Sequence, residues 1–328
     1  MTFWRMLFTC WSIASLSAAS SLAADAYPAK PIRIIVAYPA GGANDIVARI
    51  IGQELSQDLG QPVVIENKSG AAGVVGADAA AHAPVDGYNL LMAAGAHTLA
   101  PSLNAKLPYD IVRDFQPISL AAIGTYLLVV NPSVPAHSVK ELIALAKAKP
   151  GALNFASSGA GAPPHLAGVL FQNLTGTKLA HVPYRGDTPA IADLVAGQVQ
   201  LAFLSISPLI PQVKAGALRA LAITTDKRSA VMPDLPTLAE SGLPGYNIGT
   251  WWGLMAPAKT PRPIIDRLAA AMHKATNLAS VKERFIANGI EAKGNTPEEF
   301  AAMVKSEVMR YGELAKAANV RPDEAAVQ

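Results

Sequence analysis

The sequence predicts an α/β protein built as two lobes with a ligand cleft between them. Three observations carry that prediction. Short apolar runs alternate with segments of helical period, in two successive series. Each series contains a Gly-rich turn that follows a strand and opens a helix. The chain has 328 residues, 51% of them hydrophobic and only 16% charged, enough for about two domains at ~100–200 residues each. This composition excludes disorder, which needs low hydrophobicity and high charge.

Residues 1–26 read as a targeting segment. Arg5 supplies a positive start, Met6 to Leu16 is apolar, and Ala24-Asp25-Ala26 fits a small-x-small cleavage site. The expected mature chain starts at Tyr27, with cleavage after Ala24 as the alternative. No later apolar run approaches the ~20 residues that span a bilayer. The one cysteine, Cys10, falls inside the segment. Disulfide frameworks, Cys-ligated zinc and Cys nucleophiles are therefore not expected. The expected compartment is the periplasm. The net charge of +3 is spread along the chain without a basic stripe, so no nucleic-acid partner is expected.

The first series begins with Ile32 to Ala37, a continuous apolar run typical of a buried parallel strand, ending in Pro39-Ala40-Gly41-Gly42. Ile46, Val47, Ile50, Ile51, Leu55 and Leu59 then recur at helical spacing, with Asn44 or Asp45 as the expected cap and Gly60 as the stop. Val63 to Glu66 and Leu90 to Ala93 are strands, with a helix over Val74 to Ala83 between them. The second series runs from the strand Leu127 to Val130. Ser138 and Glu141 form a capping box for the next helix. A strand at Leu153 to Ala156, a helix at His165 to Leu174 and a strand at Leu179 to Pro183 follow. Thr188 is the expected cap of a helix with Pro189 at its first position. Val199 to Leu204 and Leu218 to Ile223 are further strands. After Trp251 to Pro257 the chain reads as helical, with Thr260-Pro261 and Thr296-Pro297 as helix starts. The expected layout is lobe 1 over 27–125, lobe 2 over 126–250, and a return to lobe 1 with C-terminal helices over 251–328.

Catalytic signatures are weak. Ala156-Ser157-Ser158-Gly159 lacks the first Gly of a nucleophile elbow. Six histidines show no metal-ligand spacing; no metal or cofactor is expected. The two Gly-rich turns, Pro39 to Asp45 and Ser157 to Gly161, are better read as anion sites. Unsatisfied N–H groups at a helix N-terminus attract negative charge, and glycine lets a ligand approach the backbone. Ser157 and Ser158 add hydroxyl donors. Glycines serving only tight βα turns remain the alternative.

Several ordered motifs then coincide: Tyr27-Pro28 with Lys30-Pro31-Ile32, Pro39-Ala40-Gly41-Gly42 with Asp45, Glu66-Asn67-Lys68-Ser69-Gly70, Asp86-Gly87-Tyr88, Leu107-Pro108-Tyr109-Asp110, Val182-Pro183-Tyr184-Arg185-Gly186 and Trp252-Gly253-Leu254. In these the chain resembles the extracytoplasmic solute receptors of the tripartite tricarboxylate transporter family, the Bug receptors. The resemblance implies a type II periplasmic-binding-protein fold, a small carboxylate ligand and a two-component membrane permease as partner. It places the ligand loops at Tyr38, Ala40, Gly41, Gly42, Asn44 and Asp45, and at His97 and Thr98, in the first lobe. In the second lobe it places them at Ser157, Ser158, Gly159, Ala160 and Gly161, at Tyr184, Arg185, Gly186 and Asp187, and at Leu204 and Ser205.

One departure bears on the ligand. Family members often carry an acid where this chain has Leu204-Ser205, and such an acid can hold a ligand amine. Its loss favours a di-/tricarboxylate or aromatic acid without an amino group. Leu204 either lines the ligand space or belongs to the core. Tyr38 and Tyr184 either flank the ligand or cover the core, and Arg185 either meets a carboxylate or pairs with Asp187. The expected protein is a monomeric, non-enzymatic receptor that works by lobe closure. A ligand sensor that docks on a sensor kinase, and a periplasmic hydrolase using Ser157 or Ser158, are the rival readings.

Overall fold

The computed structural model describes residues 27–103 and 106–317; the expected targeting segment with Cys10 lies outside them. The elements run β1 (Ile32–Val36), α1 (Ala43–Leu59), β2 (Val63–Asn67), a 3-10 turn (Ala71–Gly73), α2 (Val74–Ala81), β3 (Asn89–Ala94) and α3 (Gly95–Leu103). They continue with β4 (Phe115–Val130), α4 (Val139–Ala148), β5 (Asn154–Ser157), α5 (Pro163–Thr175), β6 (Ala180–Pro183), α6 (Asp187–Val195), β7 (Leu201–Ser205), α7 (Ile206–Lys214) and β8 (Arg219–Ile223). The chain closes with β9 (Gly249–Pro257), α8 (Arg262–Asn277), α9 (Ala279–Ala287), β10 (Ile290–Ala292) and α10 (Pro297–Ala317).

Two sheets share one strand. In the first, β1 pairs in parallel with β2 and β3, and β9 runs antiparallel between β3 and β4. In the second, β5 pairs in parallel with β6 and β7, while β7 and β8 run antiparallel to β4. The 16-residue β4 belongs to both. Its Phe115 to Thr125 stretch pairs with β9, and Tyr126 to Val130 pairs with β7 and β8. Sequence patterning finds only the last four residues of β4. It also misses β9, read as a lead-in to helices, and α3 and α7.

Both sheets are covered on both faces, which explains the unbroken apolar runs. Ile34 and Val36 of β1 pack with Ile51 and Leu55 of α1 and Leu268 and Met272 of α8. Ile35 points the other way, into a cluster with Leu91, Met255 and Phe300. In the second sheet Leu128 and Val130 join Phe155 and Phe171, while Leu127 and Val129 join Ile191 and Leu209. Leu204 is fully buried in that last cluster, an ordinary core residue.

Several local details differ from the sequence reading. Helix α1 is capped by Gly42 with no side-chain bond, so Asn44 and Asp45 sit inside its first turn. Likewise α6 starts from Gly186, not Thr188. Pro163 and Pro164 are the first two residues of α5, where a missing N–H costs no intrahelical bond. The Thr296–Glu299 box forms as expected, at 2.9 and 3.2 Å. At α4, Ser138 accepts from the Glu141 N–H, but the Glu141 carboxylate takes the His137 N–H, one residue earlier than a standard box.

Candidate functional site

The βα turns of both sheets open toward one another. Where they meet they enclose a cavity of about 40 Å³. Its first wall is Tyr38, Pro39, Gly42, Ala43 and Asn44 from the turn after β1, with Ala94 and Ala96 at the start of α3. Its second wall is Ser158, Pro163, Pro164, Asp187 and Ser205. Tyr126 of β4 and Thr250 and Trp252 of β9 form the floor. The first turns of α1, α3, α5 and α6 therefore end at one chamber. Their positive dipole ends converge there, and no Lys or Arg lines the chamber.

The two sides touch. The Thr188 hydroxyl donates to the Ala40 carbonyl at 3.2 Å across the cleft. Gly186, at φ +122, lies so close to the opposite turn that an added Cβ would stand 2.7 Å from Cδ of Pro39. Ala40 and Gly41 are exposed at the rim, outside the cavity wall.

Asp45 is a scaffold for the first turn. Its carboxylate accepts from the Gly41 N–H at 3.0 Å, Arg49 Nε at 2.8 Å and Asn67 Nδ2 at 3.0 Å. Burial works to raise its pKa; the Arg49, Gly41 and Asn67 bonds outweigh that and hold it below the usual carboxylate range. Asn67 also donates to the Tyr38 carbonyl at 3.0 Å. Asn44, only 5% exposed, leaves both amide atoms without a protein partner. Tyr38 lines the cavity, and its hydroxyl donates to the Ala72 carbonyl at 2.9 Å.

His97 and Thr98 stay out of the chamber. His97 accepts the Ala94 N–H on Nδ1 at 3.0 Å, and burial lowers its pKa to about 4. The Thr98 hydroxyl donates to the Gly95 carbonyl at 2.7 Å. The neighbouring Ala94 and Ala96 line the cavity instead.

In the second turn only Ser158 reaches the chamber. The Gly159 N–H donates to Ser157 Oγ, the Gly161 N–H to His165 Nδ1 and the Ala162 N–H to the Gly159 carbonyl. The backbone donors expected of Gly159 and Gly161 are thus occupied, and Ala160 lies off the wall. Tyr184 turns back on its own lobe, donating to Asp193 at 2.7 Å; burial and Asp193 push its pKa up to about 12. Arg185 is exposed and off the wall, while Asp187 is buried on it. Burial pushes the Asp187 carboxyl up to about 6, against the pull of the adjacent Ser205 hydroxyl and N–H. Patterning overlooks Tyr126 and Thr250, because β4 and β9 carry no turn motif where they reach the cavity.

The structure places His181 Nε2 2.7 Å from Ser157 Oγ, a pairing that sequence spacing does not reveal. It does not make a nucleophile. The Ser157 hydroxyl donates to the Gly159 carbonyl at 3.0 Å. The same Oγ accepts the Gly159 N–H at 3.3 Å. Ser157 is fully buried, and His181 stacks on His165 at 3.9 Å. Burial, then the neighbouring His165, lowers the His181 pKa to about 3.

Residues 47–320 match the model of the tripartite tricarboxylate transporter family receptor. The chain belongs to that family. The receptor is 38% identical over 301 residues to protein BugT of Bordetella pertussis, covering 91% of this chain and 92% of BugT. Its structure resembles that of the periplasmic binding protein BugD, with a TM-score of 0.87 and 34% identity over 90% of this chain and 99% of BugD. It also resembles Rpa4515 of R. palustris with adipate, at a TM-score of 0.87 and 33% identity over 89% and 98% of the two chains. MatC of Rhodopseudomonas palustris with bound malate gives a TM-score of 0.83 and 33% identity over 88% and 99%. The receptor therefore has the α/β periplasmic-binding-protein fold, and its family is one of solute receptors, not enzymes.

Proposed function

We propose that this receptor captures a small carboxylate in the periplasm by closing its lobes, and delivers it to a two-component membrane permease. One observation carries the reading. The chamber between the sheets is walled by helix first turns and neutral polar groups, with one carboxyl, Asp187, and no basic side chain. Such a wall neutralises a carboxylate through backbone dipoles and charge-assisted hydrogen bonds. The adipate and malate held by the relatives are acids of that size.

The lobes are taken as 27–125 and 126–250, with 251–328 returning to the first. The long strand β4 forms the hinge that couples binding to closure. Ligand favours the closed form because both walls contact it only there. The protein acts as a monomer after removal of residues 1–26. The expectation of a ligand lacking an amino group rests on the missing acid at Ser205. The Asp187 carboxyl lies beside Ser205, so an acid stands next to that position even though none occupies it.

The test is native mass spectrometry of gently purified receptor, followed by denaturing release of any small molecule. A retained carboxylate is expected. If none is retained, a thermal-shift panel of di-, tri- and aromatic carboxylates follows, and failure of every acid to stabilise the fold rejects the proposal.

A further inference from the structure

Of the side chains on the cavity wall, Asp187 alone carries a carboxyl, and no Lys, Arg or His lines the wall with it. It is only 9% exposed. Its Oδ1 has no hydrogen-bond partner among the described residues. The residue stands in the first turn of α6, yet no side chain caps that helix, so the carboxyl is not spent on the helix end. On the facing wall, Asn44 leaves its amide nitrogen and oxygen unpaired as well.

A buried acceptor without a donor is destabilising, and more so when charged. A ligand carrying only carboxylates adds like charge to the same chamber unless Asp187 takes up a proton on binding. A ligand that also carries a donor satisfies Asp187, while Asn44 Nδ2, Ser158 and the first turn of α1 meet the carboxylate.

We propose that Asp187 is a specificity-determining residue that accepts a hydrogen bond from the ligand, so that the receptor selects small carboxylates bearing an ammonium or hydroxyl group over donor-free acids. The inference rests on the carboxylate-receptor reading above and narrows its substrate class.

Calorimetric titration of the mature receptor with matched acids tests it. The sets are propionate, lactate and alanine; succinate, malate and aspartate; and glutarate, 2-hydroxyglutarate and glutamate. In the set that fits the chamber, a hydroxyl or ammonium compound is expected to bind at least about tenfold tighter than its parent acid. The better of the two shows whether Asp187 serves as a neutral acceptor or as an anion. In Asp187→Ala that preference is expected to shrink to about threefold or less, with cooperative melting showing that the variant folds. If the variant does not fold, the wild-type comparison decides alone. Parent acids that bind as tightly as their substituted partners, or a preference that survives in folded Asp187→Ala, overturn the proposal and leave the receptor reading intact. Binding of none of these acids, together with failure of the wider carboxylate panel, overturns both.

Discussion

Ser158 and Gly42 both line the cavity, one from the turn of each sheet. Each acts through a different property. Ser158 offers a hydroxyl donor at 8% exposure, and a bond to a charged group contributes about 1.5–3 kcal/mol. Ser158→Ala is therefore expected to weaken a carboxylate ligand about tenfold or more in a calorimetric titration. Gly42 offers open space over the first turn of α1. It sits at φ −76, and an added Cβ would meet only the Pro39 carbonyl at 3.5 Å. Gly42→Val is expected to fold normally and to lose about tenfold or more in affinity, because its methyls occupy the backbone approach. Unchanged titrations of the folded variants would remove these residues from the site. The remaining serine of the pair, Ser157, shows how sequence adjacency misleads: alternation along the strand end sends its hydroxyl into the His181 contact and not into the cleft.

At the scale of the element, the turn from β1 into α1 holds its shape through Asp45. One carboxylate ties Gly41, Arg49 and Asn67 together, and Asn67 in turn ties β2 to the Tyr38 carbonyl. Asp45→Asn leaves part of this network unsatisfied and is expected to cost about 1–3 kcal/mol of stability, read as a lower melting temperature. The pH dependence has a definite sign. The folded pKa lies below the unfolded value, so the folded state binds the proton less readily. The contribution is present above the unfolded pKa, about 4, and is lost as pH falls through the depressed folded value. The stability difference between wild type and Asp45→Asn is thus expected to persist at neutral pH and to narrow in acid. A constant difference down to acid pH would show that the charge of Asp45 is not what holds the turn. The motif Pro39 to Asp45 was legible as a functional turn, yet the role of Asp45 within it was not. A carboxylate facing a ligand and one facing Arg49 have the same sequence.

For the whole molecule, the proposed closure rests on contacts made between the two sheets across the cleft. The Thr188 hydroxyl and the Ala40 carbonyl form one of them, at an exposed rim. Thr188→Val keeps the side-chain volume and removes the donor. The closed form is expected to lose at most about 1 kcal/mol, which appears as an affinity up to about fivefold weaker and a faster release of ligand. Stopped-flow release with an unchanged melting temperature checks this; unaltered release would show that the contact does not hold the lobes together. The long strand β4 runs from the first sheet, where it pairs with β9, into the second, where it pairs with β7 and β8, so the proposed closure bends the molecule along β4 and leaves each lobe as a unit.

The sequence alone determined the parts governed by short-range physics. Apolar runs marked β1, β3 and β5, and Thr296 with Glu299 marked the start of α10, because these signals depend on neighbours within a few residues. The Gly-rich turns and the ordered motifs disclosed the fold class and the receptor family. What only the tertiary structure decided is which of those turn residues face the cleft. His97, Thr98, Tyr184, Arg185 and Leu204 stand near the right loops but turn their side chains elsewhere. Tyr126, Thr250 and Trp252 come from β4 and β9, far from those loops in the chain. Asp187, eighteen positions before Ser205 in the chain, lies beside it because the end of β7 and the start of α6 are adjacent in space. A cavity is a property of the distances between segments, and a buried carboxyl is charged or paired according to what those distances bring beside it.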